Sequence, residues 1–547
     1  PGRLAIAMAA AARSIRRQAW LPGRATGLAV LAATLCAAPV LAVAWIALTG
    51  ETGDYLRHLA GTRLPTYLTS SAVVALIAAA GSGLIGTGLG WLIARTDFFG
   101  RRTLGWVLIL PLAVPAYVAA YAWLDLSHAG GPLQALTGGL FPTIRGSWGA
   151  GLMFAVVLYP YVYLLARNAF AAQSADAYNA ARTLGAGPFY AFWRTSLPMA
   201  RPAIAAGLAL VVMESLADYG TVSHLGAPTL SIGLIRAWSG AGSLVDAARL
   251  SLVLVLVAIL VFGLERAQRS RARNINAAGR HKPAPRLQLT GLTALAAFLA
   301  CLLPLLLGML IPLGRLGWLA LRTEAASGLA AASLHSLTLA GITALIAAAL
   351  GLGTAYALRS RTVMATLAAR AAGLGYAVPG AVAAVGVIAL LSGTQALIDP
   401  AWRALTGDVF PVLLTSTGAA LVLAYLSRFA AAAISPAETA LARVTPSLDG
   451  AARTLGATPR RRVWQIHWPL IAAGVTSAGL LVFVEVLKEL PATMILRPFN
   501  YDTLAIIAHN FASDERLGEA ALPSLLIPLV ALLPMVFVAR YLSRQDR

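Results

Sequence analysis

Apolar residues run along this chain in blocks about as long as a bilayer is thick, and polar residues gather in the short breaks between them. A helix needs about 20 apolar residues to cross the hydrocarbon core, and inside lipid only helices and closed barrels satisfy their own backbone. Blocks this long, rich in Ala, Leu, Val and Gly, exclude a barrel. The pattern predicts spans at 27–48, 68–93, 104–124, 147–166, 200–217 and 244–264, then at 290–313, 337–358, 368–392, 409–427, 470–487 and 520–540. The expected fold class is an all-α polytopic membrane protein with 12 transmembrane helices.

The second six spans repeat the first. Ala180-Ala-Arg-Thr-Leu-Gly-Ala186 returns unchanged at 451–457, and at the same offset of 271 Pro188 matches Pro459, Trp193 matches Trp464, Pro198 matches Pro469 and Glu214 matches Glu485. At an offset of 264, Gly90–Arg95 corresponds to Thr354–Arg359 and Val114-Pro115 to Val378-Pro379. A fixed long offset identifies the folding unit. Because six spans separate equivalent points, the two units share one orientation: a parallel 6+6 duplication about an axis along the membrane normal.

Composition fits this picture. Of 547 residues 59% are hydrophobic and 12% charged, and the mean hydropathy is +0.76. A net charge of +21 would suggest nucleic acid in a soluble protein, but here the arginines cluster beside the apolar blocks, where the positive-inside rule accounts for them and no nucleic-acid partner is expected. Arg95, Arg101 and Arg102, then Arg167, Arg182, Arg194 and Arg201, then Arg359, Arg361 and Arg370, then Arg540, Arg544 and Arg547 fall on one side. Acidic pairs such as Glu51 with Asp54, Asp399 with Asp408, and Asp514 with Glu515 fall on the other. Both termini and both copies of the repeated phrase are thereby expected in the cytoplasm. The run from Glu265 to Arg286, with its arginines, Lys282, Pro283 and Pro285, reads as a charged linker that could also hold anionic membrane lipid. Cys36 and Cys301, far apart in apolar blocks, read as packing residues.

The repeated phrase has its own local structure. Thr445-Pro446 provides an N-cap with proline at the first helical position, a short helix follows, and Gly456 stops it. Thr458-Pro459 starts the next helix. Ser174, Gly185 and Gly187-Pro188 hold the matching places in the first copy. The product is a helix-turn-helix with a small-residue face, presented twice. An amphipathic helix resting at the interface would account for Arg and Trp but not for seven identical residues in both halves.

These segments resemble the EAA loop of the membrane subunits of type I ABC importers: Glu-Ala-Ala, three residues, Gly, nine residues, Ile, one residue, Leu-Pro. Here Asn179-Ala180-Ala181 is followed by Gly185, Thr195 and Leu197-Pro198, and Gly450-Ala451-Ala452 by Gly456, Ile466 and Trp468-Pro469. Both copies depart from the family at its acidic residue, replaced by Asn179 and Gly450; Asp449, one residue earlier, is a partial substitute for the second. The resemblance implies the type I ABC importer transmembrane fold. It also implies a coupling role for Asn179, Ala180, Ala181, Gly185, Gly450, Ala451, Ala452 and Gly456, two copies of a cytoplasmic ATPase, a periplasmic substrate-binding protein and a bacterial inner-membrane location. The division it implies is a first permease half at 1–268 with coupling loop 174–198, a basic linker at 269–286, and a second half at 287–547 with coupling loop 445–469.

The stretches Met213–Val222 and Gly233–Trp238, with Glu485–Thr493 and Leu496–Leu504, further resemble the fused permeases of ferric iron importers, which implies iron(III) as substrate. Fused permeases for thiamine or phosphonates share the plan. A twelve-span secondary transporter would also have parallel halves, yet would need no matched pair of docks. Glu214, Asp218, Glu485, Lys488 and Glu489, at the far ends of the fifth spans, are the candidate gate or pathway residues. Charge within a bilayer is costly and usually faces an interior, and carboxylate oxygens suit a hard cation. With lysine only at 282 and 488 a Walker A phosphate loop is impossible. The expectation is a permease that is not itself an enzyme and holds no permanent cofactor, with ATP used by a partner subunit.

Overall fold

The structure, a computed structural model, describes residues 22–51, 54–173, 187, 190, 192–272 and 286–545. Among these, eleven helices are long and apolar enough to cross a membrane, and a bent pair makes a twelfth. Spans 1, 2, 4, 5 and 6 are Ala25–Thr49, Leu64–Arg95, Gly146–Ala171, Phe192–Ala217 and Leu244–Val261, and span 3 is the bent pair Arg101–Ala113 with Ala116–Ser127. Spans 7 to 12 are Gly291–Ala320, Leu329–Arg359, Gly380–Thr406, Gly418–Leu441, Pro459–Leu487 and Leu517–Phe537. Every apolar block yields a membrane helix, six and six.

Two of the expected spans, 104–124 and 368–392, are broken rather than continuous. In span 3 the chain bends by 87° between its two helices. In the second half, helix Val363–Gly373 and a 3-10 turn at Leu374–Ala377 precede span 9. The cause is Val-Pro, used twice. A residue before proline is pushed from the helical region and proline has no N–H to continue the ladder. Val114 lies at φ −90°, ψ 117° and Val378 at φ −85°, ψ 119°; Pro115 and Pro379 follow at ψ 140° and 145°. Each half therefore turns its backbone at the same point, deep inside the protein.

Span 10 also differs from expectation. The predicted 409–427 is observed as Gly418–Leu441, begun by Thr417, whose hydroxyl accepts from the Ala420 amide. Arg428, placed by its charge just past the end of the predicted span, is instead ten residues into the helix. The charge is met there by carboxylates from another span and from the turn after span 11, so it does not mark a terminus.

The halves exchange their first spans. Span 1 lies against spans 8, 9 and 10 of the second half, and span 7 lies against spans 2, 3 and 4 of the first. Glycine permits both approaches: a Cβ on Gly386 would run into the Pro39 carbonyl, and one on Gly308 into that of Val156. After the linker, Leu287–Gln288 forms a short parallel pair with Thr96–Asp97 beyond the end of span 2. Hydrogen bonds from Gln288 and then Arg101 hold the Asp97 carboxyl below its ordinary range. The helix of span 6 continues to Ala272, and residues 273–285 of the linker lie outside the described residues.

Candidate functional site

Spans 5 and 11 run from the coupling-loop side and stop within the protein, not at its far surface. Span 5 ends at Ala217, where Asp218 turns extended (ψ 142°) and the chain re-forms a short helix, Gly220–His224. In the second half the helix ends at Leu487 and the chain re-forms Pro491–Leu496. Asp218 Oδ1 accepts from the Thr221 amide at 2.8 Å, and Glu489 Oε1 from the Ala492 amide at 3.1 Å. Asp218 and Glu489 are 271 residues apart. Both halves thus place one glutamate inside the span (Glu214, Glu485) and one acid that starts the following turn, and sequence reading had paired only the first two.

All five candidate gate residues meet around one cavity of about 70 Å³ between the halves, together with Arg428, Tyr117 and the Val114-Pro115 break. Arg428, one residue past the predicted span 409–427, has no role in the sequence pattern. Its Nη1 donates to Glu489 Oε2 at 2.7 Å and its Nη2 to Glu214 Oε2 at 3.1 Å. The guanidinium therefore bridges a carboxylate of the first half and one of the second. Lys488 Nζ lies 2.9 Å from Glu485 Oε1. Contact across the halves continues where the Tyr117 hydroxyl donates to the Lys488 carbonyl at 3.4 Å. Four carboxylates and two cations line the cavity, a formal excess of two negative charges. Among the described residues no group of three His, Cys, Asp or Glu is arranged to hold a metal ion.

The cluster depends on a glycine at the second break. A Cβ on Gly380 would overlap Glu489 Oε1 and come within 3.2 Å of Arg428 Nη1. Gly380→Ala is expected to displace the Glu489 carboxylate and lower the thermal midpoint of the detergent-solubilised protein, by about 1–3 kcal/mol of stability as for other overpacked cores. A melting curve on the purified variant checks this, and an unchanged midpoint would refute the packing argument.

The second coupling segment is built as its sequence predicts. Helix Pro446–Thr454 starts at Thr445, whose hydroxyl accepts from the Leu448 amide, and Gly456 follows it at φ +73°. Thr458 caps the next helix through the Arg461 amide. Ala451 is exposed, Ala452 is buried against the protein, and Leu455 stands 86% exposed at the turn. A Cβ on Gly450 would meet nothing within 4 Å. Asp449 does not point outward, contrary to its expected role as a substitute contact. It is buried and turned to Arg359, Arg462 and His467, because one residue along a helix rotates a side chain by about 100°. Asn179, Ala180, Ala181 and Gly185, in the first coupling segment, lie outside the described residues.

Residues 86–274 match the family described as "Binding-protein-dependent transport system inner membrane component". The chain is 23% identical over 489 residues to the Fe(3+)-transport system permease protein FbpB 2 of Haemophilus influenzae, covering 88% of this chain and 90% of that protein. It is 32% identical over 170 residues to the molybdenum transport system permease protein ModB of Azotobacter vinelandii, which covers 31% of this chain and 73% of that protein. With the sulfate transport system permease protein CysW of Escherichia coli it shares 29% identity over 215 residues, 38% of this chain and 74% of that protein.

Proposed function

Since the chain belongs to the family of inner membrane components of binding-protein-dependent transport systems, and is a fused, two-half ABC importer permease, we propose that its cargo is iron(III). The observation that carries this reading is the charge of the cavity between the halves. Four carboxylates against two cations attract a highly charged cation and repel a dianion such as molybdate or sulfate, and the field acts strongly in a site walled by apolar side chains. Likeness along most of its length to a ferric permease agrees, whereas the molybdenum and sulfate permeases match about a third of the chain.

In this reading residues 1–268 and 287–547 are the two permease halves, joined by the basic linker at 269–286. Both termini and both coupling loops face the cytoplasm of a bacterium, and a periplasmic binding protein delivers the ion on the other side. Two ATPase subunits dock on the coupling helices, one through Gly450, Ala451, Ala452 and Gly456 and the other through Asn179, Ala180, Ala181 and Gly185. ATP-driven closure of the ATPases moves both helices and opens the cavity outward; hydrolysis returns it inward. Glu214, Asp218, Glu485 and Glu489 line the route as hard oxygen donors, with Arg428 and Lys488 as their counter-ions while the route is empty.

Proteoliposomes holding the permease, its ATPase and its binding protein test this directly. ATP-dependent uptake of radioactive ferric iron is expected. Uptake of molybdate, sulfate or thiamine in its place would overturn the substrate.

A further inference from the structure

Asp449 occupies a position where an acid is not required for the helix. Thr445 already caps it and Pro446 sets its first turn. The carboxylate nonetheless meets three basic side chains. Its Oδ2 accepts from Arg359 Nη2 at 3.1 Å and its Oδ1 from His467 Nε2 at 2.8 Å, with Arg462 Nη1 at 3.7 Å. His467 Nε2 donates to the carboxylate, which can only accept, and its Nδ1 pairs with the Tyr356 hydroxyl at 3.0 Å. Arg359 Nη2 also donates to the Val444 carbonyl at 2.9 Å. Arg359 and Tyr356 end span 8, and Arg462 and His467 belong to the stretch that becomes span 11. One side chain on the coupling helix therefore ties it to two spans.

The first half uses equivalent positions with different chemistry. Arg95, the counterpart of Arg359, ends span 2 and donates from Nη2 to Gln173 Oε1 at 3.3 Å, and Gln173 Nε2 donates to the Ser196 carbonyl at 2.7 Å. Gln173 and Ser196 stand 271 residues before Val444 and His467. An arginine strut from the second span of each half thus reaches the segment that enters the coupling loop. In the second half the connection is an ion cluster centred on the coupling helix itself.

We propose that Asp449 is the positioning residue through which the second coupling helix passes its displacement to spans 8 and 11, and that Gly450 leaves the outward face to apolar contact. This rests on the docking role of that helix given above. An acid at position 450 would project into open space toward a partner, whereas at 449 it is turned into the protein. Moving the charge by one residue converts a contact with the ATPase into an internal clamp. Hydrogen bonds to charged groups in a site largely closed to water are stiff and directional, which is what a segment must have if a push on one end is to move helices at the other.

The test uses the complete transporter in proteoliposomes and reads two quantities: retention of the ATPase on purification, and substrate transported per ATP hydrolysed. Asp449→Asn is expected to retain the ATPase while transport per ATP falls about tenfold, the scale of a typical coupling energy. Arg359→Lys, which keeps the charge but not the paired contacts, is expected to fall in the same direction, and Asp449→Glu to recover part of the loss. Adding Gly450→Glu to Asp449→Asn is expected to restore nothing. Full coupling in both Asp449→Asn and Arg359→Lys would overturn the proposal. So would loss of the ATPase from Asp449→Asn with its return on adding Gly450→Glu, since that would make Asp449 a partner contact. The docking role is checked separately by Leu455→Asp: if that variant keeps its ATPase, the helix is not the dock, whatever Asp449 does.

Discussion

Arg428→Met should lose iron uptake and much of its stability together. The substitution removes the guanidinium that bridges Glu214 and Glu489, and breaking a buried pair from one side costs about 3–5 kcal/mol. The side chains are 8%, 18% and 5% exposed for Arg428, Glu214 and Glu489, so water can offset little of this. The sign of the rescue is specific. Adding Glu214→Gln and Glu489→Gln to Arg428→Met removes the orphaned charges and should return most of the lost stability without returning uptake. Melting curves in detergent for the single and triple variants measure the first effect, and ferric uptake measures the second. A triple variant less stable than Arg428→Met would show that the three groups do not act as one cluster.

Asp218→Asn should reduce ferric uptake at limiting substrate by about tenfold or more while the protein stays folded. Asparagine can still accept from the Thr221 amide at Oδ1, so the turn at Gly220–His224 keeps its start. The carboxyl is what changes: with Asp218 ionised, the formal negative excess around the cavity falls from two to one. A carboxylate about 7 Å from an ion, at an effective dielectric constant of about 20, contributes roughly 2 kcal/mol for each charge the ion carries. A factor of ten needs only about 1.4 kcal/mol, so even a partial effect on a trivalent ion is large. Lys488→Met works in the opposite sense by raising the negative excess to three, and should lower the concentration at which uptake saturates. Initial rates against ferric-loaded binding protein distinguish the two. Equal rates for wild type and both variants would remove the cavity from the iron pathway.

The spans were legible because crossing lipid is a local requirement. An apolar block of sufficient length must become helical whatever its neighbours do, and all twelve blocks did, two of them with a break. Thr445, Pro446, Gly456 and Thr458 were legible for a similar reason, since caps and a positive φ act over three or four residues. The breaks at Val114-Pro115 and Val378-Pro379 carried a local signal too, but it was passed over because apolar residues continue on both sides.

Arg428 was not legible. Nothing within its own span accounts for a charge there; the explanation lies in Glu214, two hundred residues away in the other half, and in Glu489 beyond span 11. Asp449 was misplaced on a finer scale, by the 100° that separates one helical residue from the next.

The sequence alone determined the duplication, the number of the spans, the shared orientation of the two halves, and the build of the second coupling helix, because each follows from length, offset or a few adjacent residues. Only the tertiary structure decided that eight charged and aromatic groups from both halves line one small cavity, and that Asp449 faces inward. Those outcomes depend on which helix faces which, and burial makes unpaired charge too costly for any arrangement but a matched one.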